Sequence, residues 1–135
     1  MIEGITEIEA GGGVFGDLWY QSFNANAKTA MTLLAQVTSR PTPTRVLIDA
    51  GRKSIDPTIF PPAVKGLDID GPIRFSAEHG IFCLPEPGDW PKIGNRIEIL
   101  IGYSDQCTHL HENFYGIRRR IVEAVWPSLA RGKLQ

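Results

Sequence analysis

Arg96-Ile-Glu-Ile-Leu-Ile-Gly-Tyr-Ser-Asp-Gln-Cys-Thr-His-Leu-His111 is the stretch that decides the fold of this chain, because it runs from an alternating strand into a cluster of polar, metal-competent side chains. Ile97, Ile99 and Ile101 share one face and Arg96 and Glu98 the other, the period of two of a half-buried β-strand. Carried past Gly102, the same period places Tyr103 and Asp105 on the isoleucine face, side by side and pointing inward. A carboxylate there is costly unless it is paired. Cys107, His109 and His111 share that parity, with a break expected near Gln106 because strands are rarely so long.

Outward from this stretch, the chain reads as mostly β. Fourteen glycines and ten prolines cut its 135 residues into short pieces rich in Val, Ile, Thr and aromatics. Strands are expected over Ile2–Ala10, Val14–Tyr20, Met31–Thr38 and Arg45–Gly51, with Gly11-Gly12-Gly13 as a flexible turn and residues 24–28 as loop. Asp49 stands at the end of the fourth strand, positioned either for a ligand or to cap the following turn. Residues 55–72, broken by Pro57, Pro61 and Pro62, form an irregular excursion. Ile73–Leu84 reads as one strand with a bulge at Gly80, in which neighbouring Glu78 and His79 face opposite ways. For His79 alone a structural histidine is favoured over a proton carrier. Phe114–Arg118 and Ile121–Trp126 make a hairpin around a basic turn, and residues 128–135 a solvated tail. The expectation is a single β domain over 1–135: a barrel or strongly curved sheet of seven to nine strands with little helix.

Charge and composition narrow the function. Fourteen Lys plus Arg balance fifteen Asp plus Glu, so no basic face is available for nucleic acid or a membrane surface. The weakly polar run Ala30–Val37 is too short to cross a bilayer, and the acidic N-terminus lacks an apolar core, which points to the cytoplasm. Cys83 and Cys107 fit a reducing compartment as well as they fit a disulfide.

Several landmarks occur together and in order. Asp49-Ala-Gly-Arg-Lys53, Ser76-Ala-Glu-His-Gly80, Ile93-Gly-Asn-Arg-Ile97, Leu110-His111 and Trp126-Pro-Ser-Leu-Ala-Arg-Gly132, with Ile5-Thr-Glu7, Gly13 and Phe15-Gly-Asp17 at the opening, resemble the C-terminal domain of the D-serine dehydratase and D-threonine aldolase family. These are fold-type III pyridoxal-phosphate (PLP) enzymes related to alanine racemase. The resemblance implies a β domain that packs beside an N-terminal α/β barrel, a partner not represented in this sequence, in the same or a separate chain. It also implies a homo-oligomer, such as a dimer, whose site processes a small amino acid substrate. In that family the barrel supplies the Schiff-base lysine, and the resemblance therefore implies PLP in the full-length enzyme only, with this chain inactive alone.

The family's metal pair, His-x-Cys or His-x-Asp, falls without a gap on Tyr103 and Asp105. That makes these two the implied metal site for a divalent ion such as Zn, Mg or Mn, with a neutral tyrosine a poor ligand for Zn²⁺ or Mg²⁺. Tyr103, His79 and Glu78 are the catalytic candidates that follow, Tyr103 as a hydroxyl acid/base oriented by Asp105. Asp49 and His111 are the substrate-binding candidates. Two other readings stand beside this one. One is a free-standing β protein that binds a ligand or partner. The other is a small metal enzyme using Asp105, Cys107, His109 and His111, which must then converge at bonding distance.

Overall fold

In a computed structural model of the chain, residues 4, 6–7, 11–23, 26 and 28–133 are described. Two thirds of the strand expected over residues 2–10 lies outside them. Eight strands and two short helices are present among the described residues: α1 (Leu18–Ser22), β1 (Thr32–Ser39), β2 (Arg45–Ile48), β3 (Ala63–Val64), β4 (Asp70–Phe75), β5 (Gly80–Cys83), β6 (Arg96–Leu100), α2 (Ser104–Thr108), β7 (Asn113–Arg118) and β8 (Ile121–Pro127). Six strands form one antiparallel sheet in the order β3-β6-β1-β2-β5-β4, nearly closed and barrel-like, while β7 and β8 pair only with each other.

Alternation builds the core. Ala35 pairs with Ile97 and Leu33 with Ile99, Val37 with Ile48, and Val46 with Phe82. Of these, all but Leu33 are buried and lie with Ala50, Ile55, Ile73, Leu84 and Ile101 in one cluster. Their branched side chains suit a pleated, curved surface and are what the closing sheet removes from water.

Four sequence-based expectations are corrected. The strand that begins at Arg96 stops at Leu100, and Ser104–Thr108 is helix, so the parity assumed beyond Gly102 does not apply. At Gly102 a Cβ would run into the Phe60 carbonyl, so the crossing of the 55–62 segment ends the strand there. The supposed strand Val14–Tyr20 is a 3₁₀ turn, Gly11–Val14, followed by α1, which Asp17 caps. Ile73–Leu84 is a hairpin rather than one bulged strand. Ser76 closes its turn by accepting from the His79 N–H at 3.1 Å, and the Ser76 N–H donates to the His79 carbonyl at 2.8 Å. Finally, Arg131 is not simply solvated: its Nε donates to the His109 carbonyl and its guanidinium pairs with Glu112, both at 3.2 Å.

Candidate functional site

The rim at the end of β6 is assembled by a segment far away in sequence. The Leu18 and Trp19 N–H groups donate to the Ile101 and Gly102 carbonyls at 3.1 and 2.9 Å, laying residues 17–20 along the end of β6. Trp19 then meets the Tyr103 ring edge-on, with centroids 4.7 Å apart, and Phe23 packs on Trp19 at 5.2 Å. From this aromatic support the Tyr103 hydroxyl donates to Asp105 Oδ2 at 2.8 Å. That bond pushes the Tyr103 hydroxyl up to about 12, with desolvation and the Asp105 charge acting in the same direction. At neutral pH Tyr103 is therefore a held proton donor, and Asp105 is the group that orients it.

Behind α2 the loop after β2 forms the second part of the rim. The Ser54 carbonyl accepts from His111 Nε2 at 2.7 Å, which requires the proton on Nε2, and from the Cys107 thiol at 3.5 Å. Burial, and then the Asp56 charge, pushes that thiol up to about 12, so it is an inert buried cysteine rather than a ligand thiolate. The same loop is clamped from the other side by the β4–β5 turn. Arg52 and Lys53 N–H groups donate to the Ser76 and Ala77 carbonyls at 2.9 and 3.1 Å, and Lys53 pairs with Glu78. A Cβ at Gly51 would strike the Ala77 carbonyl, which is why glycine stands at this close approach. Beside His111 an open hollow of about 370 Å³ is lined by Leu110, His111, Glu112, Asn113, Tyr115 and Arg131.

The sequence candidates thus fall into three groups. Tyr103 and Asp105 are bonded to each other, as expected, but through the N-terminal turn of a helix rather than along a strand. Glu78 and His111 both reach the 51–54 loop, Glu78 through its carboxylate on Lys53 and His111 through Nε2 on the Ser54 carbonyl, whereas His79 is engaged through its backbone with Ser76 in its own turn. Asp49 accepts from the Gln36 N–H at 2.7 Å and so fastens β1 to the end of β2. Sequence reading missed Asp17, Trp19 and Lys53 as parts of the site. The signal for Asp17 was present: an Asp immediately before Leu-Trp-Tyr-Gln has the form of a helix N-cap.

Metal and cofactor fit can be judged on these groups. Among the described residues, no three His, Cys, Asp or Glu side chains come together to hold a metal ion. The four-residue set Asp105, Cys107, His109 and His111 does not converge: Cys107 and His111 turn to Ser54, His109 Nδ1 lies 3.2 Å from the Asp105 carbonyl, and Asp105 is turned to Tyr103. A Schiff-base lysine needs an amine that can lose its charge. Lys53 is held charged by its hydrogen bond and charge pairing with Glu78. Lys65 is paired with Glu98 at 2.7 Å, and Lys28, Lys92 and Lys133 are exposed. None of the five fits covalent attachment of PLP.

Comparison with known proteins places the chain among known relatives. The serine dehydratase domain family matches residues 30–117. The chain is 30% identical over 131 residues to a D-threonine aldolase of Arthrobacter sp., spanning 94% of this chain and 35% of that enzyme. It is 31% identical over 106 residues to a 3-hydroxy-D-aspartate aldolase of Paracoccus denitrificans (strain Pd 1222), spanning 78% of this chain and 27% of that enzyme. The solved structure of D-threonine aldolase from Filomicrobium marinum superposes on 82% of the chain with a TM-score of 0.72 at 28% identity, using 30% of that protein. The chain thus spans about a third of the length of the relatives it matches.

Proposed function

The chain belongs to the serine dehydratase domain family, and from that premise we propose that it is the β domain that completes the active site of a PLP-dependent enzyme acting on a D-amino acid or β-hydroxy amino acid. The reaction is elimination or retro-aldol cleavage. One observation carries the reading: every lysine of the chain is unsuited to bind the cofactor covalently, whereas the matched relatives are aldolases about three times its length. The reactive lysine then belongs to an α/β barrel, in the same polypeptide or a separate chain. This domain brings Tyr103 as acid/base, Asp105 to orient it or a divalent ion, Glu78 and His79 at the edge of the β4–β5 turn, and His111 and Asp49 toward the amino acid substrate. The free Cys83 and Cys107 suit a reducing cytoplasm.

The test is turnover with and without the barrel. Co-expressed with the barrel portion of its polypeptide, the chain releases aldehyde or ammonia from D-3-hydroxy amino acids, and neither half does so alone. Turnover by the chain by itself, or none by the joined halves, overturns the proposal.

The β7–β8 hairpin supports an assembly larger than this domain. Tyr115 faces Val125 and Ile117 faces Val122, and all four are more than half exposed. A two-stranded hairpin with an uncovered apolar face is marginal in water. Phe114 stacked on Phe15 at 5.8 Å ties it to the body, while the Ser128 N–H on the Glu112 carbonyl at 2.7 Å extends the hairpin's own ladder. In this proposal the face is covered in a homo-oligomer, and the isolated domain sediments as a dimer or larger species. A strict monomer at high concentration contradicts that.

A further inference from the structure

We propose that Asp17 is a positioning residue: one buried carboxylate that joins α1 to α2 and thereby keeps Tyr103 and Asp105 in bonding geometry. The inference rests on the reading of Tyr103 and Asp105 as site residues, and extends it to a residue outside the site.

Asp17 is 1% exposed, and among the described residues no basic side chain is paired with it. A carboxylate in that setting is costly unless both oxygens are hydrogen-bonded. Each oxygen accepts a backbone amide from the first turn of a different helix. Oδ1 takes the Tyr20 N–H at 2.8 Å within α1, and Oδ2 takes the Ser104 N–H at 2.7 Å in α2, 87 positions away. Tyr103, the N-cap of α2, supplies no side-chain cap of its own, so Asp17 provides it from outside the helix. With the Leu18 and Trp19 amides on the Ile101 and Gly102 carbonyls, residues 17–19 set both where α2 begins and where Trp19 stands against Tyr103. The distance from Tyr103 to Asp105 is the consequence: one residue precedes the Ser104 amide that Asp17 holds, and the other follows it.

Asparagine cannot replace this group. It offers one acceptor oxygen, and its NH₂ would meet the second amide donor. Asp17→Asn is therefore expected to loosen α2 and release the Tyr103 hydroxyl from Asp105.

The test follows the Tyr103 ring by NMR at neutral pH on ¹³C-labelled tyrosine in the chain by itself, its signal assigned by loss in Tyr103→Phe. The carbon bearing the hydroxyl reports whether that hydroxyl still donates to Asp105, and Asp105→Ala marks where the signal lies once the bond is gone. In Asp17→Asn the signal moves most of the way to that position. A folded Asp17→Asn whose Tyr103 signal stays at the wild-type position overturns the inference.

A second measurement needs no variant. Amide exchange in the wild-type chain shows Tyr20 and Ser104 protected to a similar degree, and an unprotected Ser104 amide overturns the proposal. Neither readout depends on turnover. Failure here is thus separate from failure of the reading of Tyr103 as a site residue, which Tyr103→Phe in the assembled enzyme decides.

Discussion

Tyr103→Phe in the assembled enzyme is expected to lower kcat by about 10²- to 10⁴-fold, the usual contribution of a positioned general acid or base, while the fold stays intact. The substitution removes one oxygen. The ring keeps its edge-on contact with Trp19 at 4.7 Å, and the lost hydrogen bond to Asp105 is an exposed one. A bond so exposed competes with water and adds little net stability, so melting should shift little. In the domain alone the side chain is protonated across the neutral range, so in the proposed role it would start as a donor. To act as a base it needs a cation, from the barrel or a bound divalent ion, to offset Asp105. Steady-state kinetics of the variant beside its melting curve make the check, and undiminished turnover would remove Tyr103 from the mechanism.

The sheet was legible because its signal is local. Ile97, Ile99 and Ile101 alternate, Arg40-Pro41 stops β1 at strand length, and the hairpin of β7 and β8 shows in two apolar runs around a basic turn. The helices were missed for different reasons: α1 carries a local signal in its cap Asp17 that went unread, whereas α2 is held by tertiary contacts. α2 begins at Ser104 because Asp17, 87 positions earlier, takes its amide. Strand parity brought Tyr103 and Asp105 together on paper; in the molecule a helix cap does so.

The β4–β5 turn was misread for a related reason. Glu78 and His79 interrupt an apolar run, and a bulge and a turn both explain such an interruption. The closing bonds from Ser76 and the grip of the 51–54 loop decide for the turn. The engagement of Lys53 by Glu78 and of Ser54 by His111 could not be foreseen, since those partners lie 25 and 57 positions apart.

The central claim is that this domain walls a site whose reactive lysine lies elsewhere. A lysine that forms a stable internal Schiff base is desolvated or placed near another cation, so that its amine is neutral when the aldehyde arrives. The surroundings here do the opposite. Glu78 holds Lys53 charged, Lys65 is bound to Glu98, and Lys28, Lys92 and Lys133 stand in water. The most direct measurement is to mix the isolated domain with pyridoxal phosphate, reduce with borohydride and locate the adducts by mass spectrometry while recording the visible Schiff-base band. The account predicts no stable band and only scattered, substoichiometric labelling of surface lysines. A single lysine labelled stoichiometrically, with a persistent band before reduction, would contradict it.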